Sequence, residues 1–289
     1  MVFTTASLLL LASQPSLAFV ARFYKNGSSK SRFELYVSDL NGKNQKLLKT
    51  PETPNFVQWI GRDRLAWTSD RGVYTSKLSP WKPTLVAGSK GFDFRESRWR
   101  TTEPGQPNLT KGYDETQGLF RIDSATLKIV KIDSPPNPDD YVLSDETVTE
   151  IPDPNDENHK ILAQKHSPLK YWISGGELTS DYDALRAFRS DGGKNLWLVT
   201  GTHDSTTGDT NCLMLFRKGA EPKTIFDGAN AFDFWKGRSV FAYCTSRDMR
   251  SLGKKEVWVS ELHVGDWQRG TNATVLKGLV WVPSVSVRP

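Results

Sequence analysis

Residues that usually carry chemistry are scarce: the 289-residue chain has two Cys, four His and three Met. Cys212 and Cys244 are too few for a disulfide framework and fit no metal-ligand spacing. They are expected to be small, half-buried residues on neighbouring strands, with a single disulfide between adjacent sheets as the alternative. His159, His166, His203 and His263 show no His-x-x-x-His or similar pattern, and surface loops are their expected setting. No stretch approaches the roughly 18 continuous apolar residues of a membrane-spanning helix, so no transmembrane segment is expected. A Gly-x-Ser-x-Gly nucleophile turn is also missing, so no α/β-hydrolase domain is expected. Charge is mixed along the chain, 38 basic against 33 acidic residues, net +5. With neither a basic stripe nor a reading motif, nucleic acid is not an expected partner.

Large apolar side chains are plentiful. Aromatic residues make up 11% of the chain, including ten Trp, and the mean hydropathy is −0.50. That combination provides a core and gives no signature of disorder. At the N-terminus, Ala6 to Ala12 is an apolar run, and Ser16-Leu17-Ala18 resembles the end of a secretory signal, although Met1 to Ala6 carries no Lys or Arg. Export to a periplasmic or extracellular location is expected, with residues 1–12 as signal and 13–289 as one domain. If Leu17 to Phe23 is a strand, cleavage after Ala12 fits the fold better than cleavage after Ala18. The triplets at Asn26, Asn108 and Asn272 matter only if a eukaryotic secretory pathway glycosylates them.

Internal repeats carry the fold assignment. Glu34-Leu-Tyr-Val-Ser-Asp-Leu40 returns as Glu256-Val-Trp-Val-Ser-Glu-Leu262, and its last six positions return at Val73–Leu78. Phe56-Val-Gln-Trp59-Ile-Gly61-Arg62 followed by Leu65-Ala-Trp-Thr68 recurs as Phe232-Asp-Phe-Trp235-Lys-Gly237-Arg238 followed by Phe241-Ala-Tyr-Cys244. Each pair of apolar strands around a Gly-containing turn reads as a β-hairpin. A third unit, Thr84–Gly88 before Phe92-Asp93-Phe94 and Thr224–Gly228 before Phe232-Asp233-Phe234, links one repeat to the next. First strands near Phe56, Phe92, Tyr141, Leu185, Phe232 and Val282 recur roughly every 36 to 50 residues, close to the ~40 to 45 of a four-stranded propeller blade. The last repeat ends after its first strand, while the N-terminus supplies strands without one. The expected fold is therefore all-β, a six-bladed β-propeller with one blade shared by N- and C-terminal strands, which leaves no sheet edge open.

At Leu65–Ser69, Leu35-Tyr-Val-Ser-Asp-Leu-Asn41-Gly42 and Ser190-Asp-Gly-Gly-Lys194 the chain resembles the TolB-like, WD40-like propeller repeat family, over about residues 17 to 289. Trp59-Ile-Gly61-Arg62 lacks that family's Pro-Asp, and Phe94-Arg-Glu-Ser lacks its turn. The resemblance implies the propeller and little about function, because it consists of turn chemistry and core packing. It extends to the propeller half of TolB alone, so the envelope-complex role does not transfer with it.

Candidate binding residues come from loops on such a scaffold. Arg98-Trp99-Arg100 sits where a blade carries an insertion, and Arg with Trp is a hot-spot composition. A second group, Asp70-Arg71, His203-Asp204 and Arg247, falls in connections between second and third strands, hence on one face of a ring. Asp139-Asp140 and Asp153 to Glu157 could give oxygen ligands to calcium, but without the ordered spacing of a calcium loop, and no cofactor is expected. The leading expectation is a monomeric, noncatalytic exported scaffold that binds an envelope or extracellular protein, or a polymer fragment, through its loop face or central channel. The alternative is a small metal-dependent propeller enzyme, a lactonase, lyase or hydrolase, with Asp93, Asp183 and Asp233 on innermost strands as the metal ligands to check. The shared Phe-Asp-Phe setting of two of them favours a structural role.

Overall fold

The computed structural model describes residues 16–24, 31–94, 108–111, 119–123, 125–132, 141–142, 148–153, 156–164, 186–190, 195–204, 208–217, 223–234 and 238–289, with backbone alone from 141 to 211. Every regular element among them is a strand, and every pairing is antiparallel.

The first strands are β1 (Leu17–Phe23), β2 (Glu34–Ser38) and β3 (Lys46–Leu48), followed by β4 (Val57–Ile60), β5 (Arg64–Ser69), β6 (Gly72–Lys77) and β7 (Thr84–Leu85). Next come β8 (Phe92–Asp93), β9 (Asn108–Lys111), β10 (Leu119–Ile122) and β11 (Ile129–Ile132). β4 to β7 and β8 to β11 each form a sheet of sequential neighbours. The order of the first sheet is different. Its strands run β24-β1-β2-β3, where β24 (Val280–Val287) is the last strand of the chain, so both ends of the chain meet in one sheet. This is the sharing of N- and C-terminal strands that the repeats predict.

Packing follows from the alternation of side chains along β1. Leu17, Phe19 and Ala21 face a cluster with Ala242, Cys244, Leu262 and Val264. Ala18 and Val20 face the other way, onto Val57, Trp59, Leu65 and Trp67 of the next sheet. Apolar residues at odd and even positions therefore mean two buried faces. The far face of the β4 to β7 sheet, through Ile60, Ala66 and Val73, packs on Phe94, Leu109 and Ile122 of the third sheet. Successive sheets thus stack face to face.

The second half of the chain supplies β12 (Tyr141–Val142), β13 (Val148–Asp153), β14 (Asp156–Gln164), β15 (Arg186–Ser190), β16 (Asn195–Asp204), β17 (Gly208–Arg217) and β18 (Lys223–Phe234). It continues with β19 (Val240–Thr245), β20 (Asp248–Leu252), β21 (Lys255–Val259), β22 (Leu262–Asp266) and β23 (Thr271–Leu276). Eight of these form one sheet, β12-β15-β16-β17-β18-β19-β22-β23. Two four-stranded units are joined there by β18, which pairs with β17 up to Ala229 and with β19 from Ala229 onward. Gly228, at a φ of +67°, lies at that change of partner, where a residue without Cβ adopts the left-handed backbone at little cost.

Two expectations need correction. The repeat expected to start at Tyr141 does not form its own four-stranded sheet among the described residues: β12 joins β15, and β13 pairs with β14 alone. The Glu256–Leu262 copy of Glu34–Leu40 is also not a copy in position. Its strand β21 pairs with β20 in a separate hairpin, and β22 takes the place beside β19. Val257 and Val259 satisfy their alternation by packing on Tyr24, with Leu252 and Trp281 alongside. An amphipathic strand pattern specifies a buried face, and here a hairpin supplies it.

Candidate functional site

Buried polar side chains fasten strands of different sheets to one another. Val57 and Trp59 turn their N–H groups away from β5, and they donate to the hydroxyls of Ser284 and Ser286 on β24 at 3.0 and 3.1 Å. The Trp59 indole N–H donates to the Ser286 carbonyl at 3.2 Å. β24 is served in turn: Val282 donates to Ser260 Oγ at 2.9 Å and Val287 to Asp233 Oδ2 at 2.6 Å. Side-chain acceptors thus satisfy strand-edge donors that would otherwise be costly to bury.

This places the metal candidates. Asp233 is 1% exposed and committed to β24, the structural role its Phe-Asp-Phe setting favours. Asp93 accepts the Phe94 N–H at 2.7 Å. Burial pushes its carboxyl above the usual range, with the Phe94 N–H and the neighbouring Thr68 hydroxyl acting against that shift. Asp183, Asp139 and Asp140 lie outside the described residues, and Asp153 and Asp156 are described in backbone only. Among the described residues, no group of three or more His, Cys, Asp or Glu could hold a metal ion.

The binding candidates do not form one site among the described residues. Arg98, Trp99 and Arg100 lie outside them. Asp70 and Arg71 are exposed in the β5–β6 turn, and Arg71 Nε pairs with Glu52 at 2.8 Å. Gly72 is required in that turn, at a φ of +131° with a Cβ position 2.8 Å from the Ser89 carbonyl oxygen. His203 and Asp204 stand at the end of β16, opposite Asp209 and Gly208. They therefore belong to a strand where a loop is expected. Arg247 is half-buried, with its guanidinium 4.6 Å from the Trp258 ring centroid, a cation–π pair inside the β20–β21 hairpin region. That segment is a hairpin, not the expected loop. His263 is another correction: it lies half-buried on β22, stacked on Tyr243 at 4.8 Å. Burial lowers its pKa, while Glu261 pulls the other way. Cys212 and Cys244 are half-buried and buried, on β17 and β19. No disulfide joins them.

The structure brings together residues that sequence reasoning passed over. The β4–β5 turn, the start of β19 and the end of β24 converge on a cavity of about 480 Å³ lined by Arg62, Arg238, Arg288, Ser16, Ser239 and Leu40, together with Val240, Val287 and Pro289. Arg62 and Arg238 are exposed; the Arg288 guanidinium lies 5.7 Å from the Trp59 ring centroid. Arg62 and Arg238 occupy the same place in the sequence repeat, directly after Gly61 and Gly237. That repetition is visible in the sequence, but as turn chemistry only. A second cavity of about 500 Å³ runs past Arg32, Phe33, Glu34, Leu47 and Glu52. Among its charged residues Arg32 pairs with Glu34 at 3.7 Å and Glu52 with Arg71, outside the lining, at 2.8 Å, while Lys49 also lines it.

No protein-family model and no curated protein matches the chain. Solved structures similar to it include the following two. A protein of unknown function from Bacteroides caccae is 9% identical at a TM-score of 0.39, covering 96% of this chain and 100% of its own. The tricorn protease is 12% identical at a TM-score of 0.22, over 84% of this chain and 28% of the protease.

Proposed function

We propose that the chain is one six-bladed β-propeller that acts as a noncatalytic exported scaffold, binding an extracellular or envelope protein or a polymer fragment at the end of its inner strands. Support for the ring comes from the face-to-face stacking of consecutive antiparallel sheets and from the sheet shared by both chain ends. The TolB-like repeat resemblance points the same way. Support for export is the apolar segment before Ser13; since Leu17 and Ala18 are fully buried in β1, cleavage after Ala12 would spare that strand.

The observation that carries the binding role is the Arg62, Arg238 and Arg288 cavity. It is lined by Arg62 of the β4–β5 turn, Arg238 before β19 and Arg288 after β24, residues that flank three different sheets. Its lining combines polar and aliphatic side chains at strand ends, a common setting for a ligand-binding site.

The test is to pass separated protein and polymer fractions of an envelope extract over the immobilised full chain while following turnover of the same fractions. Saturable retention of one fraction, competed by free chain and without conversion, is the expected result. Conversion of a component, or no saturable retention, would reject the scaffold.

A further inference from the structure

We infer that the Arg62, Arg238 and Arg288 cavity is a binding site for a ligand carrying two or more oxyanion groups, carboxylate or phosphate. This deepens the scaffold reading of the same site and rests on it.

Positive charge here comes from three separate sheet units and converges on one space. Arg62 and Arg238 are exposed, and neither has an ion pair among the described residues. Acids beside the lining have other partners: Asp63, next to Arg62, pairs with Lys77 at 3.4 Å; Asp39, next to Leu40, accepts the Lys43 N–H at 2.7 Å and the Asn44 amide at 2.9 Å; and Asp233, before Arg238, accepts the Val287 N–H at 2.6 Å. Asp266 pairs with Arg269 at 3.7 Å. In the second cavity, by contrast, the lining arginine Arg32 has Glu34 at 3.7 Å.

Guanidinium groups match carboxylate and phosphate with two parallel N–H donors. Two guanidiniums held on different turns favour a ligand with more than one such group, because a single oxyanion leaves one of them unmatched. A volume of about 480 Å³ lies within the usual range for small-molecule sites of roughly 300 to 1,000 Å³. The aliphatic walls of Leu40, Val240 and Val287 suit a small carbon skeleton, and the Ser239 hydroxyl at the cavity is hydrogen-bonded to Asp266. Nucleic acid fits less well. Base binding needs an exposed aromatic face, and the lining residues include no aromatic ring, while Trp59 behind them is fully buried with Arg288 against its ring.

The test is isothermal titration of the full chain with citrate and, separately, with inorganic pyrophosphate, using glycerol as the uncharged control and a short single-stranded oligonucleotide as the polyanion control. Expected are saturable binding of citrate, pyrophosphate or both, none of glycerol, and weakening by salt. The doubly substituted R62S/R238S chain should bind at least about tenfold more weakly, and R62K/R238K should recover only part of the loss, because lysine lacks the two-pronged geometry. Both positions are exposed, so the melting temperature of each variant should be unchanged. Which arm binds tells carboxylate from phosphate. Failure of both arms, binding unaffected by R62S/R238S, or tighter oligonucleotide binding through the same arginines would each overturn the inference. Saturable retention of an extract fraction by R62S/R238S as strong as by the unsubstituted chain would separate this failure from that of the scaffold.

Discussion

The carboxylate of Asp233 accepts the backbone N–H of Val287 at 2.6 Å, tying an inner strand of the eight-stranded sheet to the strand that closes the first sheet. Asp233 is almost wholly buried, so the contact forms away from water. D233L is expected to cost about 1 to 3 kcal/mol by leaving the Val287 donor unsatisfied, whereas D233N, which keeps an acceptor oxygen, should cost less. Urea unfolding of the two variants side by side checks the order; equal losses would remove the hydrogen bond as the cause.

Ser284 and Ser286 do the same for β4. Their hydroxyls accept the Val57 and Trp59 N–H groups, so S284A/S286A leaves two buried donors without partners. Each is expected to cost on the order of 1 to 3 kcal/mol, visible as a lower unfolding midpoint with an unchanged urea slope.

Gly265 has no room for a larger residue. A Cβ there would stand 2.5 Å from the Thr271 carbonyl oxygen and 2.7 Å from Cε1 of Phe241. G265A is expected to destabilise by at least about 1 to 3 kcal/mol, the usual cost of overpacking a filled interior. An F241L/G265A double variant should recover part of the loss; no recovery would point to the backbone oxygen as the whole obstacle.

Asp93 gives a pH dependence of known sign. Burial holds its folded pKa above the unfolded value of 3.8, so the folded state binds the proton more tightly. Its contribution is most favourable below the unfolded pKa and is lost as pH rises through the raised folded pKa. D93N should therefore flatten the decline of stability with pH over that window, measured as melting temperature across the acid range. A variant with the same slope as the parent would show that Asp93 does not titrate this way.

The two thiols should differ in reactivity. Cys244 is fully buried and burial pushes its pKa strongly upward, leaving little thiolate to react. Alkylation of the native chain should label Cys212 alone, with Cys244 labelled only in denaturant. Native labelling of Cys244 on the timescale of Cys212 would contradict its placement.

Much of the core was legible because the same residue types perform the same task in each repeat. Phe56 to Ile60, Phe232 to Phe234 and Val280 to Val287 mark β4, the end of β18 and β24, and Thr224 to Gly228 marks the joint in β18. Glu256 to Leu262 misleads for a physical reason: alternation records that a face is buried but not what buries it, and Tyr24 with Trp281 serves as well as a sheet. The fastening role of Asp233 could be anticipated from its apolar neighbours; its partner Val287 could not. The arginine cavity was missed because Gly61-Arg62 and Gly237-Arg238 are ordinary turn sequences. They become a site only when the sheets bring those turns together beside Arg288.

The most direct test of the central claim is a crystal structure of the full chain, in which the sheets around the axis are counted. Six four-stranded sheets around a central channel, closed by β24 beside β1 and with Arg62, Arg238 and Arg288 on one rim, are the expected result. An open stack, or a ring of another number, would contradict the six-bladed propeller and the scaffold built on it.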